Sequence, residues 1–223
     1  MKIALFWVCV LLVVIIWRYR KAIIFLKIEQ RKIIKAIEEE NLVKVLSLLD
    51  YYISKHEKEV WVFNFLLISK IQICTMISYI GQDVITSTLD RIAVEKFSSG
   101  HSKLYLMAVL RLPYLDDRGI ISKIKVDLNE RRIQAEDKNK LKIIKTIKDY
   151  YEFGDPNRCR KELVSYLCGP YNKNNELCLI YYFLACVSDA DDEKIIYIKK
   201  AKEKSIGLFG EKYVDALWGE YNV

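Results

Sequence analysis

Two histidines, six cysteines and one short run of acids carry most of the reactive chemistry in this chain. His56 and His101 lie far apart, so a histidine-based catalytic group has little to draw on. Neither is near a cysteine, and no cysteine pair has CxxC spacing, so zinc is poorly supported. His56 falls in a polar link and reads as a turn residue rather than a ligand. Cys9, Cys74, Cys159, Cys168, Cys178 and Cys186 read mainly as small apolar core residues of a reduced body; an extracellular body would instead allow a disulfide set over Cys159–Cys186. Asp189, Asp191, Asp192 and Glu193 could gather a cation, but the start of a capped helix explains them with fewer assumptions. A phosphate-binding glycine loop, GxSxG, HExxH and a calcium loop are all missing from the sequence. The expectation is therefore no enzyme, no cofactor, no metal and no catalytic residue. Tyrosine pairs at Tyr51-Tyr52, Tyr150-Tyr151 and Tyr181-Tyr182 could line a peptide groove, or simply pack helices together.

The elements that position these residues begin with an apolar run, Ile3 to Trp17, followed at once by Arg18-Tyr19-Arg20-Lys21. Its fifteen residues give roughly 22 Å of helix against a hydrocarbon core of about 30 Å. Snorkelling of Lys2 and Arg18 recovers part of the deficit. A cleaved signal would need small residues before a cut site, and none follows Trp17; a buried or interfacial helix is the other alternative. The reading is a membrane anchor carried by Ile3, Leu5, Trp7, Leu11, Ile15 and Trp17. A membrane-proximal basic set follows: Arg18, Arg20, Lys21, Lys27, Arg31, Lys32 and Lys35. Basic flanks stay in the cytoplasm, so the expected topology is single-pass with a cytoplasmic body. The domain division is 1–21 for anchor and flank and 22–223 for a helical body.

The formal charge of +7 sits almost wholly in that flank, and residues 36–223 are neutral. Membrane lipid is thus the expected partner of the basic set, and nucleic acid is not expected. Lys123 to Lys148 is the nearest basic stretch in the body, but acids interleave it, as on a solvated helix face.

Eight glycines and three prolines are few for 223 residues and argue for helices joined by short turns. Apolar spacing and turn residues predict a helix to about Glu38, and another from an Asn41 cap to Ile53. A nearly all-apolar helix is predicted from Glu59 to Ile80, then one to Phe97. Ser98-Ser99-Gly100 reads as a loop, Leu104 to Leu112 as a short helix stopped by Pro113, and Gly119 onward as a helix reaching Leu128. The stretch from Glu130 to Lys140 reads as an exposed helix or a loop. Helices follow over Leu141–Phe153, to Cys168, over Leu177–Val187, to Ser205, and from Glu211 to Trp218.

Turn centres near Glu40, Gly81, Asp117, Gly154 and Ala190 are separated by 41, 36, 37 and 36 residues. One helix on each side of a turn at this period is the signature of stacked helical hairpins. The chain here resembles the tetratricopeptide repeat family over residues 23–205, at the level of period. Small residues stand at Cys74, Thr86, Ala93, Cys159, Ala185 and Ala201, and Tyr150 precedes a turn; Tyr166 and Lys194 depart from the pattern. The expected fold class is all-α: a transmembrane helix, then a tetratricopeptide-like solenoid of about five hairpins. The resemblance implies a concave surface binding an unknown protein or peptide partner, and hence a membrane-tethered interaction module or adaptor. The alternative is a membrane-bound immunity or protective protein against a peptide toxin.

Overall fold

In the computed structural model the described residues are 28–76, 81–169 and 173–221. They form eleven α-helices: α1 Gln30–Glu38, α2 Leu42–Lys55, α3 Val60–Met76, α4 Gln82–Arg91, α5 Ser99–Val109, α6 Arg118–Lys123, α7 Ala135–Phe153, α8 Pro156–Tyr166, α9 Asn174–Val187, α10 Asp191–Ser205 and α11 Glu211–Tyr221. Short 3-10 turns lie at Val94–Lys96, Leu112–Leu115 and Glu130–Arg132, and no strand occurs among the described residues. The chain divides into two compact units, residues 1–66 and 67–223.

In the first unit α1 packs on α2. Glu40 takes the left-handed conformation at φ 53°, and Asn41 caps α2 by accepting the Lys44 N–H at 3.0 Å. Ile33 and Ala36 meet a face built from Val45, Leu49, Tyr52 and Ile53. His56 closes α2 as more than a turn residue. It is buried, with Nε2 at 2.6 Å from Glu29 and Nδ1 at 3.2 Å from Glu59. Lys55 also donates to Glu29. Burial alone would push the Glu29 carboxyl up, but the Lys55 and His56 contacts outweigh it and hold it below its usual value.

The second unit is built from packed pairs: α7 with α8, α8 with α9, α9 with α10 and α10 with α11. The turn at Gly154 shows how the sequence makes one. Gly154 sits at φ 68°, where a side chain would be strained, and its N–H donates to the Tyr150 carbonyl at 2.8 Å. Asp155 then accepts the Arg158 N–H at 2.9 Å, and Pro156 opens α8. Asp191, Asp192 and Glu193 occupy the first turn of α10, as a helix start requires.

Residues 92–134 depart from the expected regular hairpins. Ser98-Ser99-Gly100 is a capped helix start, with Ser98 accepting the His101 N–H at 3.3 Å, rather than a loop. The helix expected to reach Leu128 stops at Lys123. Three basic side chains terminate these short elements by taking carbonyls that a longer helix would have used itself. Lys125 Nζ donates to Asp90 and Ile92 at 3.0 and 2.6 Å, and Lys148 Nζ to Ser122 and Ile124 at 3.0 and 2.8 Å. Arg132 donates to Phe97 at 2.8 Å. The buried Tyr105 hydroxyl adds a pin, accepting the Lys125 N–H at 2.9 Å. The basic stretch is therefore partly a set of internal helix stops, and not a wholly solvated face.

The membrane topology expected from the sequence needs correction. Among the described residues no helix is long and apolar enough to cross a membrane. α3 is the most apolar of them, but its 17 residues reach about 26 Å, and Asn64, Lys70 and Gln72 interrupt it. A transmembrane helix leading a regular five-hairpin solenoid is thus not the fold described, and a single-pass membrane location has no helix here to carry it. The anchor residues Ile3, Leu5, Trp7, Leu11, Ile15 and Trp17, with Arg18, Arg20, Lys21 and Lys27, lie outside the described residues. Arg31, Lys32 and Lys35 are exposed on α1.

Candidate functional site

A cleft of about 320 Å³ opens in the second unit between α5, α7, the start of α9 and the turn before α11. Its floor is Tyr114, which follows α5 in a 3-10 turn and is buried. The Tyr114 ring stacks on Tyr213 at 5.5 Å and meets Tyr182 at 5.0 Å and Phe209 at 6.1 Å. Its hydroxyl donates to Cys178 Sγ at 3.3 Å, and burial pushes the phenol well above its ordinary range. The ring comes so close to the turn that only a glycine fits beside it. A Cβ at Gly210 would lie 2.7 Å from Tyr114. Gly207, at φ 70°, starts the same turn, so two glycines three residues apart let Leu208 and Phe209 project at the cleft wall. Met107 on α5 also lines the cleft and is 44% exposed.

Charge lines the rest. Lys140 is buried, 2.8 Å from Asp137 and 3.2 Å from Glu176, both buried as well. Burial opposes the Lys140 charge, but the two carboxylates prevail and raise its pKa. Glu176 also accepts the Lys173 N–H at 3.2 Å, so it caps α9 while serving the triad. On the rim, Lys103 and Lys173 share Glu136 at 3.4 and 3.3 Å. These two ammonium groups hold the Glu136 carboxyl below its usual value. Arg111 stands half-buried with its guanidinium 5.2 Å from the centre of the Phe209 ring. Burial lowers its pKa.

The tyrosine pairs divide between packing and the cleft. Tyr182 supports Tyr114, whereas Tyr150 and Tyr151 pack on Phe183 and Tyr181 stacks on Tyr197. Cys74, Cys159 and Cys178 are buried free thiols, and burial pushes Cys159 up to about 12; Cys168 and Cys186 are exposed and free. Arg111, Met107, Phe209 and Gly210 were not singled out from the sequence. The paired glycines in Gly207-Leu208-Phe209-Gly210, flanking an aromatic, were the legible signal. The isolated Arg111 carried none.

No family model, no characterised protein and no solved structure matches this chain.

Proposed function

We propose that residues 67–223 form a protein-interaction module, with hairpins of tetratricopeptide-like arrangement, that grips a segment of another polypeptide in the Tyr114 cleft. Binding rather than catalysis is assigned. The observation that carries the reading is the cleft lining: an exposed Met107 and an aromatic floor whose shape is set by Gly210 share one cleft. An adaptable thioether beside rigid rings is well suited to taking up an apolar side chain. The packed pairs α7–α8 and α9–α10 support the hairpin part of the reading.

A photo-crosslinking residue placed at position 107 of the full-length protein tests it, with position 203 on the exposed face of α10 as control. The expected result is a crosslink to one defined segment of a different polypeptide at 107, absent at 203 and reduced by Gly210→Val. Equal labelling at both positions, or crosslinks only within the chain, would overturn the reading.

A further inference from the structure

Four cations and three acids meet at this cleft, and their pairing leaves one charge over. Lys103 and Lys173 divide Glu136, and Lys140 is held by Asp137 and Glu176. Arg111 is the remainder. Among the described residues its guanidinium has no hydrogen bond and no carboxylate within ion-pair reach, only the Phe209 face. A guanidinium stays charged in proteins, and withdrawing it from water without a counter-charge is unfavourable. Stacking on one ring returns only part of that cost.

Lys212 also lies over the Phe209 ring, at 5.5 Å, so the charge left over about that ring is positive, beside the apolar side chains of Met107, Leu208 and Phe209. A carboxylate matches the Arg111 guanidinium in charge and in planar, two-pronged geometry. Building on the interaction-module reading, we propose that the cleft binds an acidic peptide segment. A carboxylate, from a side chain or a chain end, docks on Arg111, and a neighbouring apolar side chain seats against Met107, Phe209 and Tyr114. At 320 Å³ the cleft has room for one or two side chains and not for a folded surface.

The test is fluorescence anisotropy on the full-length chain with two sets of fluorescein-labelled octapeptides. One set is built from leucine, phenylalanine and glutamate; the other replaces every glutamate with glutamine. Both are made with free and with amidated ends. The acidic or free-ended peptides are expected to bind about tenfold or more tightly than neutral ones. Arg111→Met should erase that preference while the melting temperature holds or rises by about 2 °C, since an unpaired charge is removed. Equal binding of both sets, unaffected by Arg111→Met, overturns the carboxylate and leaves the module reading standing. Failure of every peptide overturns both. Saturation by free glutamate or inorganic phosphate at the peptide's own concentration overturns the peptide in favour of a small anion. A marked fall in melting temperature for Arg111→Met makes the arginine structural and overturns the proposal.

Discussion

Lys140 and Arg111 line one cleft, yet the protein treats their charges in opposite ways. Lys140 is the more deeply buried, and two carboxylates compensate it. Arg111 is half exposed and, among the described residues, has only the Phe209 ring against it. The compensated charge is part of the scaffold: it ties α7 to α9. The other has no carboxylate partner among the described residues, and for that reason the proposed ligand is assigned to it. Depth of burial therefore does not tell which charge is compensated; the pairing does.

The largest expected effect breaks the scaffold side of this comparison. Lys140→Met strands Asp137 and Glu176 in the interior and should cost about 3–5 kcal/mol in urea unfolding. The pH dependence sharpens it. The folded Lys140 pKa is raised above 10.5, so its stabilisation is complete below that value and is lost only as pH climbs through the higher folded value. The deficit of Lys140→Met should thus be constant from neutral pH to about 10. If it instead fades between neutral pH and 10, the triad is not what holds α7 to α9.

Gly210→Ala comes next. Its Cβ would press on the Tyr114 ring at 2.7 Å, and relief requires the whole aromatic floor to shift. A loss of about 1–3 kcal/mol is expected, with a changed near-ultraviolet circular dichroism spectrum from the tyrosines. A silent substitution would mean that the floor is softer than its contacts imply.

The first unit offers an acid-side counterpart. Glu29 is buried against Lys55 and His56, and its pKa is depressed below 4.5. Its contribution is present above that value and lost as pH falls through the folded pKa. Glu29→Gln should cost about 1–2 kcal/mol at neutral pH, and the difference from the parent chain should close in acid. A gap that persists below the folded pKa would show that shape, not charge, holds the residue. Smallest of all is Lys103→Ala. Lys103 is exposed and shares its acid with Lys173, so stability should move by no more than about 0.5 kcal/mol, and salt should erase the change.

Much of the fold was legible in the chain. Asn41, Gly154, Asp155 and Pro156 act at their turns as their residue types predict, because caps and left-handed turns are local chemistry within a few residues. Within residues 92–134 the Ser98 cap is local and was missed, but the helix ends were misjudged for the opposite reason. Lys125, Lys148 and Arg132 stop helices whose carbonyls lie 24 to 35 residues away, and no window of neighbouring sequence contains that information. Lys140 and Asp137 looked like an exposed polar stretch because their third partner, Glu176, belongs to another helix.

Composition, apolar period and turn residues alone determined that the described residues are helical and placed the turns near Glu40, Gly154 and Ala190 with the helix pairs that flank them; the pairs expected across Gly81 and Asp117 give way to contacts of α4 with α6 and α5 with α7. The legible properties depend on neighbours three or four positions apart. Tertiary structure alone decided which charges are satisfied. Lys103 and Lys173 reach Glu136 from 33 and 37 residues away, and among the described residues Arg111 reaches no acid. Ion pairing is a property of distance in space, and only the packed helices fix that distance.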